Sequence, residues 1–235
     1  MNPIFMREQE GLKEKILLLA GDVEMRLTEV LKATEQRDKD ALHRWIDRDS
    51  EIDGKEVQIE EECLKILALH QPVAKDLRFV VAVLKINNDL ERIGDIVVNI
   101  AQKGIPLADT PVGDIFSSVI QMGRVSREMV KDALDALVNL DLEKANAVIR
   151  RDDDLDTMRS NVWETVAQRA TATNVGSITE SLLLLNGVAR DLERIGDHAT
   201  NIAEDVAYLV SGKIVRHLRR DVKEDKHGER KHSDS

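Results

Sequence analysis

The stretch "DLERIGDIVVNIA", Asp89 to Ala101, returns as "DLERIGDHATNIA", Asp191 to Ala203, with only the three residues after the second Asp changed. Around the second copy, Leu192, Ile195, Ala199, Ile202, Val206 and Leu209 recur at the spacing of one helical face, and nothing nearby alternates as a strand would. The phrase therefore reads as a helix with one face for burial. Its copies lie 102 residues apart, and a second echo, "DRDSEID" (Asp47 to Asp53) against "RRDDDLD" (Arg150 to Asp156), lies 103 apart. Two echoes at nearly one offset identify an internal duplication.

Chain breakers divide the two copies. Pro72 suits the first turn of a helix, where its missing N–H does no harm, so "HQP" ends one helix and starts the next. "KGIPLADTPVGD", from Lys103 to Asp114, is the densest cluster of Gly and Pro and marks the midpoint, while "TATNVGS" supplies the last break. The pattern predicts helices over 4–36, 39–69, 73–103, 114–138, 141–171 and 175–211, with Asp114 and Asp141 as N-caps. The expected fold is all-α: two tandem, pseudo-symmetric three-helix bundles, residues 1–103 and 114–212, a linker at 104–113, and a charged, disordered tail at 213–235.

Composition agrees with packed helices. Of 235 residues 42% are hydrophobic, 33% are charged and only 3% are aromatic. The net charge of −10 argues against nucleic acid as a partner. That charge is uneven, because residues 213–235 carry eight Lys or Arg against five Asp or Glu and leave −13 on the rest. The basic tail could alternatively touch anionic lipid. No apolar run reaches the eighteen or so residues that span a bilayer, and "MNPIFMREQEGLKEK" has no secretory pattern, so a cytoplasmic location is expected. Cys63, the single cysteine, reads as a small apolar residue on a helix, and Trp45 and Trp163 read as core anchors. His43, His70 and His198 have no matched partners in the other repeat and are expected at the surface. Phosphate-binding glycine loops, H-E-x-x-H and G-x-S-x-G are all missing, which removes support for nucleotide-using and hydrolytic enzymes.

The chemistry lies in the acids. Glu91 and Asp95, and Glu193 and Asp197, stand four apart on one helical face, and the second helices repeat the spacing with Asp49/Asp53 and Asp152/Asp156. Like charges so placed destabilise a helix by about 0.2–0.5 kcal/mol per pair, so four pairs call for cations. Asp152 and Asp156 share the stripe of Val148, Ile149, Leu155 and Val162 and therefore face a neighbouring helix. If that neighbour is the third helix, four carboxylates converge in each half and offer a hard or borderline metal a set of oxygen donors. Asn99 and Asn201, four residues further along, add amide oxygens. The alternative is an ordinary solvated face in which the acids pair with Arg48, Arg92, Arg151 or Arg194. Gly94 and Gly196 each precede the second carboxylate and each cost a helix roughly 0.8–1.0 kcal/mol against Ala, so a missing side chain there opens room for an ion or a close helix.

"LERIGDIVVNIA", "LERIGDHATNIAED" and "HQPVAKDLRFVVAVLKINNDLERIGD" resemble the repeated signatures of the PhoU family, over roughly residues 1–212. The resemblance implies a regulator without catalytic activity. It also implies metal clusters of divalent or trivalent ions (Fe, Zn, Mn or Mg), mononuclear or multinuclear, held by Asp49, Asp53, Glu91 and Asp95 in the first half and Asp152, Asp156, Glu193 and Asp197 in the second. The implied setting is a homodimer on the cytoplasmic side of a phosphate ABC transporter, in contact with its ATPase subunit and reaching the membrane only through such partners. There it restrains a phosphate-sensing histidine kinase and keeps the phosphate-starvation response off when phosphate is plentiful. The runner-up is a carboxylate-bridged metal enzyme or metal store on the same bundle plan.

Overall fold

The computed structural model describes residues 3–48, 50–110, 113–172 and 176–213. Among them run seven helices and no strand: α1 (Pro3–Gln36), α2 (Lys39–Ile46), α3 (Ser50–His70), α4 (Ala74–Leu107), α5 (Ile115–Asn139), α6 (Leu142–Ala172) and α7 (Gly176–Ser211). No helix is long and apolar enough to cross a membrane. The expected six-helix plan holds, with its second helix in two pieces. The tail from 214 onward lies outside the described residues.

The division of 39–69 into α2 and α3 corrects the sequence reading, which contains no breaker there. Asp38 starts α2 by accepting the Ala41 N–H at 2.9 Å. A helix end also leaves carbonyls without partners. Buried Arg26 of α1 answers that need, donating to the Arg48 carbonyl at 2.6 Å, while the guanidiniums of Arg26 and Arg48 lie 5.8 and 4.9 Å from the Trp45 ring centre. The break is held by a residue twenty-two positions upstream, which local pattern does not reveal.

The linker is shorter than expected. α4 continues to Leu107 with Pro106 in its last turn, and the Ala108 N–H closes it on the carbonyls of Gly104 and Ile105. Asp141 caps α6 as predicted, accepting the Lys144 N–H at 3.0 Å. Asp114 makes no such bond, because its carboxylate pairs with Arg169 instead.

In the first half α1, α3 and α4 pack together with α2 against α1 and α4, and in the second half α5, α6 and α7 pack in the same way. The halves meet along α4 and α7 as well as through the linker. Lys85 reaches Asp205, Asp89 reaches His198, and Lys103 reaches Asp191, so rising numbers on α4 meet falling numbers on α7 and the two helices run antiparallel. Each copy of the repeated phrase thus presents one apolar edge to its own bundle and one to its twin. Ile93, Ile100, Ile195, Ile202 and Val206 are fully buried, and one apolar cluster runs from Phe5 through both halves.

Two core assignments divide. Trp45 is half-buried against the cluster, whereas Trp163 is 52% exposed. Val162 takes the seam, and a residue one step further is rotated by about 100° away from it. Cys63 is fully buried, and burial pushes its thiol up to about 12.

Candidate functional site

In both halves a glycine lets the third helix lie close to the second. A methyl at Gly94 would stand 3.0 Å from Ile52 of α3, and one at Gly196 would overlap the Leu155 side chain of α6. Ile52 and Leu155 are equivalent positions of the second echo. The glycines therefore serve close helix approach rather than access for an ion, and that approach puts the acids of paired helices beside each other.

The second half shows the effect plainly. The Asp197 carboxyl is pushed up to about 6, first because the surrounding chain displaces its water and then by the charges of Asp152, Glu193 and Asp156, with His198 pulling the other way. The Asp197 residue keeps an open side to solvent even so. Thr200 of α7 donates to Asp152 of α6 at 3.3 Å and links the two helices across the group. The four carboxylates expected in this half share one field. Arg151, a possible neutraliser by sequence, turns the other way and pairs with Glu128 and Asp132 of α5 at 2.7 and 3.2 Å.

The first half is built differently. Asp49 lies outside the described residues. Glu91 is raised from its ordinary value by burial and by Asp95, Arg92 opposes this, and Glu56 and Asp53 add to it. Arg92 stands 3.3 Å from Glu91 and 3.4 Å from Asp95, so the arginine pairing weighed as the alternative does operate here. Arg48 goes to Glu51 at 2.9 Å.

Glu56 is an acid that the sequence reading missed. Burial raises it first and Glu60 and Asp53 next, against Arg92, and its Oε1 accepts from buried Asn87 at 3.2 Å. The signal was available, because Glu56 stands three residues after Asp53 and shares its face. Its equivalent in the second half is Arg159, so the two acidic groups differ in charge as well as in arrangement.

Asn201 faces α4, where its Nδ2 donates to Asp89 at 3.2 Å. The Lys103 ammonium donates to the Asn99 backbone carbonyl at 3.5 Å. The Asn201 amide thus turns to the seam between the halves rather than to the acids of α6. His198, expected at the surface, is half-buried and hydrogen-bonds Asp89 at 2.8 Å. His70 likewise meets Glu8 at 2.6 Å, while His43 is exposed as expected.

The first letter of the repeated phrase has a role that the sequence reading did not assign. Asp89 and Asp191 occupy equivalent places, both are buried, and both bond across the seam between the halves. An acid repeated on the apolar edge of the helix was the sign of it. Among the described residues no three acidic or histidine side chains are posed as ligands of one ion.

The family model for the PhoU domain matches the chain twice, over residues 16–104 and 119–206. The chain belongs to the PhoU family. The two matches begin 103 residues apart, the same offset as the second echo, so the duplicated unit is the domain itself. The phosphate-specific transport system accessory protein PhoU of Serratia marcescens is 35% identical over 91% of this chain and 87% of its own length. The homologue of that accessory protein in Clostridium acetobutylicum is 34% identical over 90% of this chain and 96% of its own. Among solved structures, PhoU from Pseudomonas aeruginosa superposes with a TM-score of 0.85 at 33% identity, covering 89% of this chain and all of that one. The phosphate transport system regulatory protein PhoU from Streptococcus pneumoniae gives 0.82 at 27% identity, covering 90% and 99%.

Proposed function

We propose that this PhoU-family chain is a cytoplasmic, metal-binding regulator of phosphate uptake that acts without catalytic turnover. It works as a homodimer, contacts the ATPase subunit of a phosphate ABC transporter, and restrains a phosphate-sensing histidine kinase while phosphate is plentiful. The observation that carries the regulatory reading is similarity along both repeats to proteins named as accessory to the phosphate-specific transport system. A cell lacking the protein is then expected to express phosphate-starvation genes in phosphate-rich medium. Normal repression in that deletion strain would overturn the reading.

The metal reading rests on the second-half carboxylates. Their donors are all oxygens, their mutual repulsion is relieved by a cation, and Arg151 of α6 is committed to α5. Asp152, Asp156, Glu193 and Asp197 would hold the ion there, after side-chain rotation draws the acids to it. Asp53, Glu91 and Asp95, with Asp49 and now Glu56, form the weaker counterpart, where Arg92 competes. Held by these acids of α6 and α7, an ion would supply the positive charge that offsets their repulsion and would tie the two helices together. Elemental analysis of protein purified without a His tag tests this: Glu193→Ala with Asp197→Ala lowers metal content while helicity stays near that of the parent. Unchanged stoichiometry removes these residues from the site, and redox turnover or bulk iron loading would favour a metal enzyme or store.

A further inference from the structure

The halves have a second line of contact, where α1 of the first repeat lies against α5 of the second. Arg124 of α5 donates to Glu35 of α1 at 2.7 Å, and the Arg37 guanidinium lies 5.2 Å from the Phe116 ring centre, so the two helices run antiparallel. Gly123 draws them close, because a methyl there would stand 3.0 Å from Leu31. Beside this pinch a cavity of about 180 Å³ opens over Leu31 and Ile120.

Its polar lining is cationic, in a chain whose net charge is −10. Thr28, Lys32 and Glu35 of α1 stand four and three residues apart, and Arg124 and Arg127 of α5 three apart, so each set shares one helical face. One carboxylate thus meets three cations. Glu35 pairs with Arg124, whereas among the described residues Lys32 and Arg127 form no ion pair and the Thr28 hydroxyl makes no hydrogen bond. Arg127 and Thr28 are half-buried, which leaves water only partial access to them. Their donors call for an acceptor.

A small anion with oxygens on several sides supplies it. Planar guanidiniums match pairs of oxygens, the lysine acts as a point charge, and the hydroxyl adds a donor. A water takes about 30 Å³ of liquid, so the cavity suits a tetrahedral ion with a few waters and is too small for a nucleotide. Glu35 decides which ion. An ionised carboxylate only accepts hydrogen bonds, so it repels the bare oxygens of sulfate but takes the P–OH of hydrogen phosphate.

We propose that the cleft between α1 and α5 binds inorganic hydrogen phosphate through Lys32, Arg124, Arg127 and the Thr28 hydroxyl, with Glu35 selecting it over sulfate. The ion bridges the repeats, since Lys32 belongs to the first and both arginines to the second. The site stands on the charges of this cleft and not on the regulatory reading, which is tested in cells rather than on the purified chain.

Isothermal calorimetry of the full chain with sodium phosphate, and with sodium sulfate at matched ionic strength, tests the site. The parent is expected to bind one phosphate, several-fold more tightly than sulfate. Lys32→Ala with Arg127→Ala abolishes the binding and leaves helicity unchanged, because neither side chain belongs to an ion pair of the fold. Glu35→Gln, whose amide can also donate, brings sulfate level with phosphate, and Glu193→Ala with Asp197→Ala leaves phosphate binding as in the parent. No phosphate binding by the parent, equal binding of the two anions, or binding that survives loss of Lys32 and Arg127 overturns the proposal. So does loss of binding in the Glu193→Ala, Asp197→Ala variant, which would place the phosphate on a metal held by those acids. Flotation with phosphatidate vesicles that needs Lys32 and Arg127, without binding of free phosphate, would overturn it too and assign the cations to a lipid headgroup.

Discussion

Asp191 of α7, with its side chain 3% exposed, accepts a hydrogen bond from Lys103 of α4 at 2.6 Å, and this pair ties one repeat to the other. Gly187 leaves room for the lysine stem, since a methyl there would stand 3.1 Å from its Cε. Removing the cation strands a buried carboxylate, which costs about 3–5 kcal/mol. Lys103→Met is therefore expected to lower stability by about 3 kcal/mol. Adding Asp191→Asn should recover part of the loss, and denaturant midpoints of both variants check it. Equal midpoints for Lys103→Met and the parent would mean that the seam does not depend on this pair.

Gly196 predicts a difference between the repeats. Alanine gains roughly 0.8–1.0 kcal/mol in an open helix, whereas overpacking a filled core costs about 1–3 kcal/mol. A methyl at position 196 overlaps Leu155, while one at position 94 meets Ile52 at 3.0 Å, where a small shift suffices. Gly196→Ala should lower the melting temperature clearly and Gly94→Ala little. Trimming Leu155 to Ala beside Gly196→Ala tests the cause, since the second change then adds no further strain.

The raised Asp197 carboxyl gives a signed pH dependence. Its value in the folded chain, about 6, lies above its ordinary 3.8, so the folded state keeps a proton that the unfolded state has released. The ion-free protein therefore loses stability as pH rises through that window, and melts higher at pH 5 than at pH 7 on this account. Solvent on the open side of Asp197 screens the effect and holds it to a few degrees. Other carboxylates, such as Asp135 beside Lys144, titrate in the opposite sense, so the reading is the difference between parent and Asp197→Asn. That difference should shrink at pH 7 when Mn²⁺ is added. A parent and variant with the same pH profile would show that the acids do not crowd in solution.

Cys63 reports on the packing of α3. Its thiol is buried and held protonated at neutral pH, and the thiolate is the reactive form. Maleimide labelling of the native protein is expected to be very slow and to reach completion in denaturant. Fast native labelling would mean that α3 does not stay packed.

Much of this protein was legible in one dimension. The repeat at 102–103 residues, the helical period and the Gly and Pro clusters were enough to fix an all-α chain of two like halves, because burial of one helical face writes itself into local spacing. The acids facing α6 and α7 could be read in the same way, since i and i+4 positions must share a side. Contacts that close over long separations left no such mark. The split between α2 and α3 depends on Arg26 reaching the Arg48 carbonyl, and the use of Asp89 and Asp191 depends on which helix lies opposite. The choice of Arg151 for α5 and of Arg92 for its own acids is likewise a matter of distances in the folded chain. Sequence determined which faces must be covered and which charges must be answered. The tertiary structure decided by what, because a side chain's partner is set by the packing of whole helices rather than by its neighbours in the chain.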